Sequence, residues 1–187
     1  MSTPLAKPLR ADARRNREKV LAAARDAFAV KGLDVGMDDV AHRAGVGVGT
    51  IYRHFPTKDA LLEALWADKA QRVVALTREA AENPDPWGAL VEMFERGTAM
   101  QADDLAWCEA TGPLGPRGWN EDTAPPELLE ATNRILRRAK KAGVLRKDFG
   151  FNDVANVFGA IAGLISARGP EARHGLLRII LDGLRPQ

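Results

Sequence analysis

MDDVAHRAGVGVGTIYRHFPTKDALL, residues Met37 to Leu62, carries the local signals from which the architecture of this 187-residue chain can be read. Two short helical runs, near Met37–Ala44 and Val48–Phe55, flank Gly45-Val46-Gly47. A glycine just past the first run permits the left-handed backbone of a tight turn, and Val46 is placed to plug the gap between the two helices. Ala41 is small where the helices would cross. On the second run Ile51 and Phe55, spaced i and i+4, share the inward face. That leaves Thr50, Arg53 and His54 outward, with Tyr52 and Gly49 toward the edges. Pro56 breaks the chain, and Thr57 is a natural N-cap for a long helix to about Glu82.

The outward face has the chemistry of a duplex reader. Arg53 can donate two hydrogen bonds to guanine O6 and N7, and Thr50 can meet a thymine methyl or a phosphate. Tyr52 and His54 can donate to phosphate oxygens, which sets register without reading sequence. Lys58 falls in the first turn of the next helix, where backbone N–H groups and the helix dipole already favour an anion. Upstream, a helix from about Ala13 to Lys31 presents one apolar stripe, Val20, Leu21, Ala24, Ala27 and Phe28. Gly32 stops it. Its basic residues Arg14, Arg15, Arg17 and Lys19 would flank the DNA backbone. Residues 1–31 hold eight Lys/Arg against three Asp/Glu, whereas residues 61–187 are mildly acidic. One end of the chain is therefore suited to a polyanion.

Downstream the helical repeat continues and no stretch shows clean strand alternation. After the breaker Asn83-Pro84-Asp85-Pro86, a fifth helix is expected from Trp87 to about Asp103 and a short sixth through Leu105–Thr111. A Gly/Pro-rich break follows at 112–118. A seventh helix runs from Pro125–Pro126 to Gly143 and an eighth over Asp153–Arg168, capped by Asn152. The ninth spans Glu171 to about Leu184. The expectation is an all-α chain of about nine helices, with a helix-turn-helix domain at 1–56 and a helical ligand-binding and dimerisation domain at 57–187.

The segment resembles the DNA-binding domain of the tetracycline-repressor (TetR) family. Ala41, Ala44-Gly45-Val46, Gly49-Thr50-Ile51-Tyr52, His54-Phe55 and Lys58 carry the likeness, with Phe28 and Gly32 upstream, over roughly residues 13 to 65. A weaker likeness to the C-terminal part of some members runs from Asn133-Arg134-Ile135-Leu136-Arg137-Arg138-Ala139 through Gly143-Val144-Leu145-Arg146. The resemblance implies that Thr50, Tyr52, His54 and Lys58 touch DNA and that Val48, Gly49 and Arg53 sit near the bases. It implies a dimer on a pseudo-palindromic operator, usually as a repressor, with a small-molecule effector. Two departures matter. Gly36 and Gly47 stand where the family often has Ser or Thr caps; glycine is only a few tenths of a kcal/mol poorer as a cap but brings no hydroxyl to a phosphate. Val48 is apolar where many members are polar, which shifts base reading toward Arg53 and Thr50.

Other chemistries fit less well. Gly45-Val46-Gly47-Val48-Gly49-Thr50 follows a helix and lacks the Gly-Lys-Ser/Thr ending of a phosphate loop. His42, His54 and His174 have no partner at ligand spacing, so neither metal nor cofactor is expected. An enzyme would need a convergent acid/base or nucleophile set. Asp103-Asp104 and Glu109 are close in sequence, but nothing nearby would tune them. The alternatives left open are an all-helical small-molecule binder or enzyme and a DNA-binding regulator without an effector.

The four tryptophans lie beyond the DNA-reading unit. Each is ordinarily a core residue. Trp66, Trp87, Trp107 and Trp119 with Met93, Phe94 and Phe158 also suit an apolar ligand pocket. The eighth and ninth helices are rich in small and apolar residues, and Val157, Ile161, Leu164, Ile165, Leu177, Ile180, Leu181 and Leu184 are expected to form a twofold four-helix dimer contact. No apolar run reaches the roughly 18 residues of a membrane span. Residues 1–10 lack the apolar stretch of a signal peptide. The single cysteine, Cys108, reads as a small buried hydrophobe in a cytoplasmic protein.

Overall fold

The computed structural model describes residues 6–110 and 119–186. These form α1 (Ala6–Lys31), a 3-10 turn (Gly32–Asp34), α2 (Met37–Ala44), α3 (Val48–His54), α4 (Lys58–Ala81), α5 (Pro86–Ala110), α6 (Pro126–Lys141), α7 (Phe151–Arg168) and α8 (Ala172–Gly183). The expected break at 112–118 and the last residue of the expected sixth helix, Thr111, lie outside the described residues.

The described residues of Met1–Ala67 and Ala106–Gly115 make one compact unit, and those of Asp68–Leu105 and Pro116–Gln187 make a second. The long helices α4 and α5 therefore each supply residues to both. In the first unit, the stripe Val20, Leu21, Ala24, Ala27 and Phe28 is buried with Val40, Ala41, Ile51, Phe55, Leu61 and Leu65. Gly32 and Gly45 adopt positive φ, +61° and +65°. The left-handed backbone at Gly45 lets its N–H meet the His42 carbonyl and the Val46 N–H meet the Ala41 carbonyl, which closes α2 and turns the chain into α3.

The core of the second unit gathers Leu90, Met93 and Phe94 of α5, Ile135, Leu136 and Ala139 of α6, Val154, Ile161 and Ile165 of α7 and Leu177 of α8. Directional ties hold these helices in register. The Arg138 guanidinium donates to the carbonyls of Ala81 and Asn83, both at 2.7 Å, and of Pro84 at 3.0 Å. It thereby satisfies the Ala81 carbonyl, which the end of α4 leaves without an intrahelical donor, and two carbonyls of the connection that follows. Arg96 bridges Glu79 of α4 and Glu92 of its own helix. The Glu79 hydrogen bond, then that of Glu92, raises the guanidinium pKa. The Asn83 amide, then Arg96, holds the Glu92 carboxyl below its usual value.

Two helix boundaries differ from expectation. The expected fifth and sixth helices are one continuous α5, giving eight α-helices rather than nine among the described residues. An aspartate pair at 103–104 favours a break when its carboxylates compete for nearby backbone N–H groups. Here the Asp104 carboxylate is buried and accepts from Arg72 Nη2 at 2.8 Å instead. Asn152 does not cap α7. Gly150 is the N-cap, its N–H donating to Asp153 Oδ2 at 2.7 Å, while Asn152 Oδ1 accepts from the Glu121 N–H at 3.1 Å. Thr57 does cap α4, its Oγ1 accepting from the Ala60 N–H at 3.1 Å.

Candidate nucleic-acid interface

The inward face of α3 is locked. Ile51 is fully buried and Phe55 nearly so, both in the core shared with α1 and α2. Because the helix rotates 100° per residue, burying 51 and 55 turns 49 and 53 outward and 52 to the flank, while 48, three residues before Ile51, is exposed as the first residue of the helix. Val48, Gly49, Tyr52 and Arg53 are exposed, and Thr50 and His54 are half-buried along the flanks. The helix starts from a glycine N-cap, Gly47, with φ −67° and ψ 144° and no side-chain hydrogen bond. Gly36 starts α2 in the same way, and only the Asp39 carboxylate answers its N–H, at 3.5 Å. Neither cap position offers a hydroxyl.

Gly49 is a glycine that folding does not require. It sits in a helix, and a Cβ built on it meets nothing within 4 Å. Glycine in a helix costs about 0.8–1.0 kcal/mol relative to alanine. Gly47 is similar in its surroundings, its added Cβ reaching only Thr50 Oγ1 at 3.8 Å. The leading edge of α3 is thus bare on both sides of Val48.

Two basic side chains beside α3 have partners inside the unit. The Lys58 ammonium donates to the Leu33 carbonyl and lies 5.8 Å from the Phe28 ring centroid. The Arg17 guanidinium lies 5.7 Å from the Phe55 ring centroid. Further back on α1, Arg14 pairs with Glu18 at 3.7 Å and Arg15 with Asp12. The sequence placed Lys58 in the first turn of α4 but did not reveal the Leu33 tie, which joins positions 25 residues apart.

The seven aromatic and methionine residues considered for a pocket divide between the two units. Trp107 is buried in the first unit's core, its ring centroid 4.7 Å from that of Trp66. Met93 and Phe94 are buried in the second, where Phe94 and Phe158 stand 5.3 Å apart. The Phe158 ring lies against the bare backbone of Gly97, 2.7 Å from where a Cβ would be. Trp87 is half-buried beneath the Arg185 guanidinium, 3.6 Å from its ring centroid, and Trp119 is half-buried. An open groove of about 330 Å³ lies elsewhere in the second unit, between Gln71, Val74 and Arg78 of α4 and Pro125 and Glu127 near the start of α6. None of the seven lines it. Its floor joins positions about fifty residues apart, so no sequence spacing announces it.

The eight residues expected at a dimer contact also divide. Ile161, Ile165, Leu177 and Leu184 are buried within the single chain, whereas Val157, Leu164, Ile180 and Leu181 are half-buried. Ile179 is 65% exposed on α8 and was missed, because it lies off the stripe that the others define. No group of side chains that could hold a metal ion occurs among the described residues.

A packed three-helix unit that projects a short helix with one polar, exposed face defines a helix-turn-helix DNA-binding regulator. The chain belongs to the TetR family of transcriptional regulators, which bind operator DNA and form dimers. The family model for bacterial regulatory proteins of the tetR family matches residues 20–65, and the model for the C-terminal domain of SbtR-like transcriptional regulators matches residues 85–186. A transcriptional repressor of Mycobacterium tuberculosis, Rv1474c, is 29% identical over 90% of this chain and 92% of its own. The repressor LfrR of Mycolicibacterium smegmatis is 30% identical over 79% of this chain and 77% of its own. Among solved structures, a TetR regulatory protein from Mycobacterium vanbaalenii is 37% identical with a TM-score of 0.68, over 96% of this chain and all of that one. The chain is a DNA-binding transcriptional regulator, not an enzyme.

Proposed function

We propose that the chain is a ligand-responsive repressor that binds a pseudo-palindromic operator as a homodimer, reading each half-site with α3. The observation that carries the reading is the two-sided character of that helix. Ile51 and Phe55 fix its orientation in the core, Arg53 stands exposed on the opposite face, and Tyr52 at its edge and Val48 at the helix start are also exposed. Arg53 reads guanine, Tyr52 and His54 position the helix on phosphates, and Thr50 lies beside the bases. Lys58 joins them through whichever of its three N–H donors is not engaged by Leu33. The two copies of α3 then sit about one DNA turn apart, roughly 34–36 Å.

The dimer contact is proposed on α7 and α8, through Val157, Leu164, Ile180, Leu181 and the exposed Ile179. The half-burial of the first four within one chain supports this, since a mate could cover the remainder. The effector site is proposed in the second unit, around Trp87, Met93, Phe94, Trp119 and Phe158. A bound effector would act by preferring a different arrangement of α4, with a coupling of about 1–3 kcal/mol. No membrane partner is proposed: among the described residues no helix is long and apolar enough to cross a bilayer. The location proposed is the cytoplasm, where operator DNA is accessible.

An electrophoretic shift with the promoter region of the chain's own gene tests the reading. A saturable shift that resists competitor DNA is expected, and its weakening by compounds that alter tryptophan fluorescence identifies an effector. Equal affinity for promoter and random DNA would remove the operator-binding claim. Sedimentation as a monomer at micromolar concentration would remove the dimer.

A further inference from the structure

The leading residue of α3 is apolar. Val48 is 46% exposed at the first helical position, between the glycine N-cap Gly47 and the helical glycine Gly49. Tyr52, one turn further along the same face, is 45% exposed. A single exposed valine is unremarkable on a protein surface. Here it stands between two glycines whose bareness the fold does not require, since neither has a positive φ and neither added Cβ would clash.

We propose that Val48 is a specificity-determining residue that reads the C5-methyl of thymine in each half-site, with the bare backbone of Gly49 admitting the base-pair edge. The inference rests on the operator-binding reading above and deepens it by naming the base chemistry. Valine has neither donor nor acceptor, so it can recognise neither a phosphate nor the polar edge of a guanine, adenine or cytosine. The thymine methyl is the apolar group that an unmodified duplex presents in the major groove. A β-branched side chain in a helix is held in one rotamer, so its isopropyl group is presented with little entropy left to lose. A side chain at 49 would stand beside Val48 on the exposed surface and hold the helix away from the groove floor. The ring of Tyr52 extends the apolar strip by one turn.

Selection of duplexes from a random pool with the full chain supplies the ligand, and each thymine in it is then replaced singly by deoxyuridine. At one or two thymines per half-site the wild-type chain should lose about fourfold in affinity, the equivalent of roughly 0.8 kcal/mol for one buried methyl. Val48→Ala, whose shorter side chain retreats from the methyl, should show a smaller deoxyuridine penalty at one of those positions while melting at the wild-type temperature. Gly49→Ala should melt at the same or a higher temperature yet bind the selected duplex more weakly. Enriched duplexes whose thymines are all replaceable without loss, or a deoxyuridine penalty that persists undiminished in Val48→Ala, would overturn the methyl reading alone. Undiminished binding by Gly49→Ala would overturn the role given to its bare backbone. A pool that yields no enriched duplex would overturn the operator-binding reading itself, and this inference with it.

Discussion

The Lys58 ammonium donates to the carbonyl oxygen of Leu33, tying the first turn of α4 to the 3-10 turn that follows α1. The same ammonium lies 5.8 Å from the Phe28 ring centroid. Lys58 is thus an internal brace of the DNA-reading unit as well as a phosphate ligand in the proposed complex. Lys58→Met keeps most of the apolar stem and removes the donor. It should cost about 1 kcal/mol, less than a buried charged hydrogen bond because the side chain is half-exposed and solvent-screened. The melting temperature should fall by about 2–4 °C. The salt dependence of DNA binding should flatten by about two units of log–log slope, one for each protomer of the proposed dimer. A lower melting temperature with an unchanged slope would leave Lys58 only its bracing role.

Arg53 is exposed on α3 in the free protein. If it donates in bidentate fashion to guanine, Arg53→Ala should lose about 1–3 kcal/mol for each half-site of the operator and relax preference at one base pair in each. Affinity for random DNA should change far less. Parallel titrations of both duplexes decide the matter, and equal losses on the two would assign Arg53 to the phosphates.

Arg138 holds the last residue of α4 and the connection to α5 through three main-chain carbonyls. Arg138→Met should destabilise the chain by about 2 kcal/mol, since those carbonyls lose a charged donor. A drop of about 4–8 °C in melting temperature is expected. Arg138→Lys should recover only part of it, because a single ammonium lacks the planar fork that spans all three acceptors. Full rescue by lysine would mean that charge alone matters here.

Asp148 supplies a test by pH. The Arg146 guanidinium reaches both of its carboxylate oxygens, each at 2.7 Å. That side-chain hydrogen bond is the largest cause that brings the carboxyl down from 3.8 to about 2. A folded pKa below the unfolded one stabilises the native state above about pH 4, and the contribution is lost as pH falls toward 2. Asp148→Asn should therefore melt with a shallower dependence on pH between about 4 and 2 than the wild type, with the two curves parallel above pH 5. Identical slopes in the acid window would show that the pair contributes nothing to folding.

Much of the DNA-reading unit was legible in the sequence because its signals are local. Gly32 and Gly45 sit where positive φ is needed, Thr57 caps α4, and Ile51 and Phe55 lie one turn apart on α3. Backbone sterics, capping and helical periodicity act over a few residues, so a short string of letters suffices to express them. The same periodicity identified Val20, Leu21, Ala24, Ala27 and Phe28 as one buried face.

Tertiary structure alone decided what depends on distant partners. Asp104 continues α5 instead of breaking it because Arg72, 32 residues earlier, takes its carboxylate. Trp107 went to the core around α1–α3, while Phe94 and Phe158 met in the other unit. Four of the eight residues expected at a dimer contact are buried inside the single chain, while Ile179 stands exposed. An apolar stripe says that a face will be covered, not by what, because burial is non-directional and is satisfied by any close apolar surface. By itself the sequence determined a helix-turn-helix and the inward face of α3; of the side chains it set outward, Arg53 is exposed while Thr50 and His54 are half-buried. Packing decided which of those side chains are already engaged, and so left Val48, Tyr52 and Arg53 exposed while binding Lys58 to Leu33.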